Sequence, residues 1–278
     1  MKYRLKRPLW LVALSFTQVA WTQYFTSTGA PVRWNTSEIG VVMDSRGTDD
    51  VPGDLEADAI AASMQTWNEV PCPHPTLHDG GRVSGLKPGP NTKKNLLVFW
   101  DDPSDWSTPG MDHVIALTTL YYDDHSGIAQ KFDMEFADWA YEFTVTTGPA
   151  RQTDVQNTVT HEFGHVLGLD HSKDPEATMY YSAQPGDLSK RTLAADDITG
   201  LCFIYESWSV PDQETSSAVE GGLVVEETGA TASSGGCRTA ATRQDWPVWL
   251  AVLAGFAVFV RLRRGGRRAS SSCRDPGN

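Results

Sequence analysis

A chain of 278 residues, of which 40% are hydrophobic and ten are tryptophan, holds enough apolar material for a packed core, so a wholly disordered protein is excluded. The formal net charge is −12, and residues 21–236 alone carry 11 basic and 33 acidic side chains, so the basic residues concentrate at the two ends. Such an acidic body repels phosphate groups, which argues against a nucleic acid partner. The acid excess is typical of a solvated surface; calcium binding through pairs such as Asp101–Asp102 is the alternative.

The first twenty residues are typical of a secretory signal peptide. Four basic side chains precede a mostly apolar run from Leu9 to Phe16, which is too short to span a bilayer as a helix. The pattern predicts cleavage near Ala20, at the end of a signal peptide over 1–20. The mature protein is therefore expected at the cell surface or outside the cell.

The central part of the chain predicts a mixture of helices and strands. Residues 30–44 favour a lead-in segment and a first strand, and residues 54–70 favour an amphipathic helix. Residues 71–94, rich in Pro, Gly and His, are typical of a loop, and residues 192–206 predict the last helix. Aromatic and β-branched content favours four further strands, at 95–100, 114–122, 128–136 and 141–145. These elements predict one α+β or α/β domain within residues 21–208.

The C-terminal part predicts a membrane anchor. Residues 209–245 are acidic and rich in Ser, Thr and Gly, which is typical of a solvated linker. Residues 246–260 contain no charged side chain, and as a helix they would rise about 22 Å, enough to cross a locally thinned bilayer. Five arginines follow within residues 261–268, at the start of the basic tail over 261–278, which places that tail in the cytoplasm. The domain would then lie on the outer side of the membrane.

The stretch HEFGHVLGLDH, at 161–171, lies at the end of a well-signalled helix. Thr153 followed by Gln156 predicts a capping box, and Gly168 predicts the point where the helix ends. The helix is therefore predicted over 154–167, with its apolar side chains on one face.

The histidines of this stretch have the spacing of metal ligands. His161 and His165 lie one helical turn apart on the face opposite the apolar one, so both imidazoles can bind one ion. A sharp turn at Gly168 could bring His171 round as a third ligand, which leaves one position open for water, as in catalytic zinc sites. Glu162, beside the first histidine, is placed to exchange protons with that water.

HEFGHVLGLDHS, with a methionine eight residues beyond the last histidine, resembles the metzincin zinc peptidases. Ser172 and the TMYYS turn resemble the matrixin branch of that group, and the resemblance covers about residues 30–206. Four further stretches are similar to matrixin catalytic domains: AIAASMQTWNEV, VIALTTLYY, TDVQNTVTHE and LAADDITGL.

The resemblance implies roles for particular residues. It makes Glu162 the general base and places Met179 in a turn beneath the metal. The ligands of a single catalytic zinc would be His161, His165 and His171. The expected activity is endoproteolysis by a monomer; a non-catalytic surface binding module on the same fold is the alternative.

The resemblance also implies a fold and a way of binding the substrate. The fold is α+β and zincin-like, with a twisted, five-stranded, mostly parallel sheet that has one antiparallel edge strand and is packed by three helices. The edge strand, within Ala116–Tyr121, would bind a protein or peptide substrate in extended form by β-augmentation.

The stretch DMEFAD departs from the matrixin pattern. Animal matrixins usually bind a second, structural zinc through a D-x-H-F-D stretch, and Glu135 stands where the histidine ligand would be. The sequence leaves open whether Asp133, Glu135 and Asp138 bind calcium or face solvent, with solvent favoured.

The four cysteines fall into two groups. Cys72 and Cys202 lie at the ends of two predicted helices of the exported domain, where an oxidising compartment favours a disulfide over two buried thiols. Cys273 lies in the cytoplasmic tail and is expected to be reduced. The SSGGC around Cys237, followed by a short apolar segment and an arginine cluster, resembles the MYXO-CTERM type of sorting tail. That resemblance implies cleavage near Cys237 and display on a Gram-negative bacterium; a plain membrane anchor is the alternative.

Overall fold

The structure is a computed structural model, and it describes four stretches of the chain: 20–107, 114–146, 152–207 and the backbone of 257–264. Several expectations fall outside these stretches: the signal peptide up to residue 19, the linker over 209–245, residues 246–256 of the predicted membrane helix, Cys237 and Cys273.

The described residues form three α-helices and ten strands. The three α-helices are α1 (Leu55–Asn68), α2 (Val155–Val166) and α3 (Ala195–Ile204). The strands are β1 (Thr22–Gln23), β2 (Glu38–Asp44), β3 (Thr76–Val83), β4 (Leu96–Phe99), β5 (Val114–Tyr122), β6 (Ala129–Phe136), β7 (Phe143–Thr144), β8 (Thr153–Asp154), β9 (Leu169–Asp170) and β10 (Ala257–Arg264). Two single 3₁₀ turns lie at Pro103–Asp105 and Ser189–Arg191.

One sheet organises the domain, with the strand order β10-β5-β6-β4-β2-β3. Strands β3, β2, β4 and β6 run parallel to one another, and β5 runs antiparallel to β6. The five strands β2 to β6 and the three helices confirm the α+β fold that the resemblance implies, with β5 as the antiparallel edge strand of the domain.

The sheet is buried on both faces, as the continuous apolar runs of its central strands require. Successive side chains of β4 point to opposite faces, so Leu97 and Phe99 join the main core with α1 and α2. Val98 and Trp100 join a second, smaller apolar cluster on the other face. Helix α2 is itself almost wholly buried, and Trp67 of α1 donates its indole N–H to Thr160 O at 2.7 Å.

Two strands differ from the sequence analysis. Residues 71–94, predicted as a loop, contain β3, which pairs with β2 through its backbone and buries only the side chain of Leu77. Its polar sequence, TLHDGGRV, therefore carries no strand pattern. The strand predicted at 141–145 shrinks to the two residues of β7, which pair with β8 outside the main sheet.

The start of α2 also differs in detail. The N-cap is Asp154, whose Oδ1 accepts a hydrogen bond from Asn157 N at 2.7 Å, and the preceding Thr153 pairs in β8 instead of capping. Aspartate caps helices as well as threonine does. The pairing of Thr153 in β8 therefore decides which of the two residues is the N-cap.

The backbone of β10 pairs in parallel with the outer edge of β5, from Ala257 opposite Val114 to Arg264 opposite Tyr122. These residues were expected to form the end of the membrane helix and the start of the basic tail. An edge strand has unpaired backbone N–H and C=O groups, which explains why a second extended segment can add to it. Within the described residues, none of the helices combines the length and apolarity needed to cross a membrane.

Cys72, just after α1, and Cys202, in α3, form a disulfide with their Cα atoms 5.6 Å apart. The bond joins the first helix of the domain to the last across a sequence separation of 130 residues.

Candidate metal centre

Two of the three histidines lie on α2, and the third follows the turn that ends this helix. Gly168 has a φ of +105°, and a Cβ at this position would lie 2.7 Å from Val32 O, so the tight turn requires glycine. The turn brings His171 back toward His161 and His165, and the candidate ligand atoms of the three residues lie within 4.8 Å of one another.

Backbone carbonyls orient the two imidazoles on α2. The Nδ1 of His161 hydrogen-bonds Thr178 O at 2.5 Å, and the Nδ1 of His165 hydrogen-bonds Leu169 O at 2.8 Å. A carbonyl only accepts, so Nδ1 carries the proton in each ring and Nε2 carries a lone pair. Both Nε2 atoms are buried with no hydrogen-bond partner among the described residues. Burial lowers the pKa of both imidazoles well below the ordinary value, so both are neutral at pH 7.

This donor set fits a zinc ion. Histidine ligands of metals usually donate their second ring nitrogen to a carbonyl or carboxylate, as His161 and His165 do here. A buried lone pair without a donor costs free energy, and a bound cation would remove that cost. The triad is therefore compatible with one zinc, with a fourth position left for water.

Residues near the N-terminus of the domain support the turn from outside. Strand β1 pairs antiparallel with β9, and Thr22 Oγ1 donates to His171 O at 2.7 Å. The hydroxyl of Tyr24 lies 3.1 Å from His165 Nδ1. The sequence analysis gave these residues no role, because a two-residue strand has no periodicity to detect.

Met179 packs against the inner side of α2. It is 1% exposed, and a Cβ on Gly164 would lie 2.2 Å from its sulfur, so the contact needs glycine between the two helical histidines. The turn is held by Asp197 of α3, which accepts backbone N–H groups from Thr178 at 2.8 Å and Met179 at 2.9 Å. Asp197 thus fixes the carbonyl that orients His161. The sequence analysis missed it, since an aspartate in the first turn of a helix is ordinary.

Glu162 is fully buried beside the triad. Its Oε2 accepts a hydrogen bond from Thr118 Oγ1 of β5 at 2.5 Å, and its Oε1 has no partner among the described residues. Burial raises the pKa of Glu162 to about 8, although Thr118 and the charge of Lys190 act in the opposite direction. The carboxyl group is thus placed to exchange a proton near neutral pH.

Lys190 is a buried cation next to the triad. Its Nζ donates to Tyr180 O and lies 3.3 Å from His161 Nδ1, and the residue is 4% exposed. Burial lowers its pKa to about 8, while Asp187 and Glu162 act to raise it. The sequence analysis missed Lys190, because a lysine in a loop is normally a surface residue.

The acidic stretch on β6 does not face solvent, so the expectation for Asp133 and Glu135 is wrong. Asp133 accepts hydrogen bonds from Lys131 Nζ at 2.7 Å and Gly89 N at 2.8 Å. Glu135 accepts from Trp100 Nε1 at 2.8 Å and from the hydroxyl of Ser107. Protein donors therefore occupy both carboxylates, which explains why they can be buried.

Asp138 lies apart from these two residues. Its carboxylate forms a cluster with the carboxylates of Asp49 and Asp101. Its Oδ1 accepts from Thr48 Oγ1 at 2.9 Å, and burial raises its pKa to about 7. Two members of this cluster are exposed, and a cluster of exposed acidic side chains is not by itself a metal site.

The chain matches one family model and is similar in sequence to known proteins. Residues 90–206 match the family model described as Matrixin. A segment of 68 residues is 41% identical to Metalloendoproteinase 1 of Glycine max and covers 24% of this chain and 22% of that protein. A segment of 55 residues is 49% identical to Neutrophil collagenase of Homo sapiens and covers 20% of this chain and 12% of that protein.

A longer match, with lower identity, covers 66% of the chain. Over 189 residues the chain is 26% identical to Matrix metalloproteinase-C of Caenorhabditis elegans, which covers 66% of this chain and 30% of that protein. In these three relatives the chain thus spans less than a third of the relative's length. The fold, the three converging histidines and these matches together support a metzincin-like metallopeptidase domain.

Proposed function

We propose that the chain is an exported zinc endopeptidase in which Glu162 is the general base. The observation that carries the proposal is the site itself: three imidazoles converge, and a buried carboxyl group lies beside them with one oxygen unpaired among the described residues. A binding module without turnover would need the three histidines but not a glutamate buried at this place.

Zinc, when bound by His161, His165 and His171, would act as a Lewis acid that activates water and polarises the scissile carbonyl. Glu162 takes the proton of the attacking water on Oε1 while Oε2 stays bonded to Thr118. It then gives that proton to the departing amine, so one carboxyl group serves both steps. Burial raises the pKa of Glu162 above its ordinary value, which favours a carboxyl group that holds the proton between the two steps.

The substrate would bind as an added strand on β5. Thr118 belongs to β5 and touches the base, so a peptide paired with this strand passes directly by Glu162. The pairing of β10 with the same edge is an example of an extended segment on those backbone groups, and the substrate would bind in place of β10.

The location of the protein is a further part of the proposal. The signal sequence over 1–20 and the disulfide between Cys72 and Cys202 both favour an oxidising compartment outside the cytoplasm. The membrane helix over 246–260 would hold the chain at the cell surface, at least until any cleavage near Cys237. Residues 257–260 belong to both this helix and β10, so an anchored chain has β10 released from β5.

The test is cleavage of a quenched peptide library by the full chain, with zinc content measured in the same preparation. Glu162→Gln should lower turnover at least about a hundredfold while one zinc per chain is retained. The matched control is Glu176→Gln, on an exposed loop, which should leave turnover unchanged. Zinc binding without cleavage by the unaltered chain would favour the binding module. A folded chain without zinc would overturn the proposal.

A further inference from the structure

Tyr24 is held against the turn that separates His165 from His171. Its backbone N–H donates to Gly168 O at 3.1 Å, and its carbonyl accepts from Val32 N at 2.8 Å. The two residues before it form β1, which pairs with β9 on the far side of the same turn. These backbone contacts fix where the side chain of Tyr24 lies, which is beside the imidazole of His165, with the ring centroids 5.9 Å apart.

The hydroxyl of Tyr24 joins two polar groups. It donates its proton to the carboxylate of Asp170. Its oxygen lies 3.1 Å from Nδ1 of His165, the nitrogen that carries the proton in this ring because it also faces Leu169 O. A phenol has one proton, so its oxygen accepts at this second contact. The Nδ1 proton of His165 is therefore shared between Leu169 O, at 2.8 Å, and the hydroxyl of Tyr24.

Asp170 contacts a second member of the triad. Its Oδ1 accepts from the backbone N–H of His171 at 2.7 Å. The carboxylate is thus linked to His171 through the main chain and to His165 through the hydroxyl of Tyr24. One anionic group therefore contributes to the placement of two of the three candidate ligands.

Packing alone does not require the hydroxyl of Tyr24. The ring packs against the main core, and the ring of phenylalanine would fill the same space. The hydroxyl adds a chain of hydrogen bonds from the carboxylate to the imidazole. Such outer hydrogen bonds orient a histidine ligand and raise its basicity, and losing one typically lowers metal affinity by about tenfold to a hundredfold.

We propose that Tyr24 and Asp170 are positioning residues of the metal centre. The hydroxyl of Tyr24, held by the carboxylate of Asp170, accepts the Nδ1 proton of His165 and so turns Nε2 of that ring toward the ion. The inference rests on the proposed function in one respect, because it needs a zinc ion on the triad. It does not need peptide turnover.

The experiment measures the Kd for Zn²⁺ of the full chain, freed of metal, by competition with a chromophoric chelator. Tyr24→Phe removes only the hydroxyl and should raise the Kd at least about tenfold. The matched control is Tyr205→Phe. Tyr205 is also buried, and its hydroxyl donates to Leu167 O at 3.1 Å, on the same helix but not on a ligand. This control should lose stability and keep the Kd of the unaltered chain.

A double-variant cycle tests whether the two residues act together. Asp170→Asn keeps an oxygen for His171 N but removes the charge, so it should also raise the Kd for Zn²⁺. The variant with both changes should bind zinc nearly as tightly as Asp170→Asn alone, because Tyr24 acts through that carboxylate. Independent effects, whose fold-changes multiply in the double variant, would overturn the proposed link.

Co²⁺ in place of zinc gives a second readout, since its visible absorption depends on the geometry of the ligands. At full occupancy, Tyr24→Phe should shift the absorption bands, and Tyr205→Phe should leave them in place. An unchanged Kd together with unshifted bands in Tyr24→Phe would overturn the inference, and so would equal losses of affinity in Tyr24→Phe and Tyr205→Phe.

Failure of the proposed function gives a different result. If the unaltered chain binds zinc and cleaves no peptide, the endopeptidase is overturned, and the effect of Tyr24→Phe on the Kd still decides the inference. If the unaltered chain cleaves peptides with zinc bound and Tyr24→Phe changes neither the Kd nor the bands, only the inference falls. A folded chain that binds no zinc overturns both.

Discussion

Thr118 donates its hydroxyl to Oε2 of Glu162 at 2.5 Å, across a sequence separation of 44 residues. This bond joins β5 to the helix that carries two of the three histidines. It also fixes which oxygen of Glu162 remains available, since Oε1 has no partner among the described residues. The strand proposed to bind the substrate and the proposed base are therefore positioned by one contact.

Thr118→Val should lower kcat/KM by roughly tenfold while zinc is retained, because a hydrogen bond to a charged group is lost. The bond from Thr118 acts to lower the pKa of Glu162, so its removal raises that pKa. The carboxylate then forms only at higher pH, and the acidic limb of the kcat/KM profile should move to higher pH. Thr119→Val, the neighbouring buried threonine of β5, is the control. An unshifted limb would mean that Glu162 does not set it.

Asp197→Asn should weaken zinc retention and lower the thermal midpoint. The carboxylate accepts N–H groups from Thr178, Met179 and Ala194, and an amide nitrogen in place of one oxygen would face such a donor. The expected loss of stability is on the order of 3 kcal/mol, as for a broken buried network. Zinc is measured by titration with a chelator. Asp196→Asn, which replaces one oxygen of a carboxylate that accepts from Ala20 N and Ser172 Oγ, controls for the helix terminus. Equal losses of zinc retention and of stability in the two variants would show that Asp197 does not specifically hold the turn.

Replacing Cys72 and Cys202 together by serine should lower the free energy of unfolding by up to roughly 5 kcal/mol, the value of the chain-entropy model for a loop of this length. Urea unfolding of the full chain measures the change. Reducing agent should lower the midpoint of the unaltered chain and leave that of the double variant where it is. Cys273→Ser, in the C-terminal tail, should show the same change of unfolding midpoint on reduction as the unaltered chain. A midpoint insensitive to reduction would show that the bond does not form.

The triad could be predicted from the sequence because its geometry is local. His161 and His165 are set by the helical repeat, and Gly168 permits the turn before His171. The mostly parallel sheet and its antiparallel edge strand were predicted from the resemblance and not from the residues alone. Strand β3 was missed because its neighbour β2, and not its own side chains, holds it in the sheet.

The residues around the triad could not be predicted in the same way. Asp197, Lys190 and Thr118 reach the site through tertiary contacts, and each is of a type that is usually exposed or ordinary in its local element. The buried carboxylates of Asp133 and Glu135 show the same point. Only the packing of β6 against residues far away in sequence reveals the donors that make their burial possible.

Asp138 should make the domain less stable as the pH rises. Burial, with repulsion from Asp50, Asp101 and Asp49, raises its folded-state pKa to about 7, while the unfolded chain keeps the ordinary value of 3.8. Above pH 4 the unfolded state therefore binds fewer protons than the folded state, so the free energy of unfolding falls as the pH rises. The fall ends above about pH 7, where Asp138 is ionised in both states.

Asp138→Asn removes this titration, so the variant should be more stable than the unaltered chain at pH 8, by an amount on the order of 2 kcal/mol. Urea unfolding from pH 4 to pH 8, in the presence of a chelator of divalent cations, measures how the free energy of unfolding of each protein changes with pH. The exposed Asp58→Asn serves as the control for a general loss of negative charge. Parallel pH profiles for the unaltered chain and Asp138→Asn would show that Asp138 is already ionised in the folded protein.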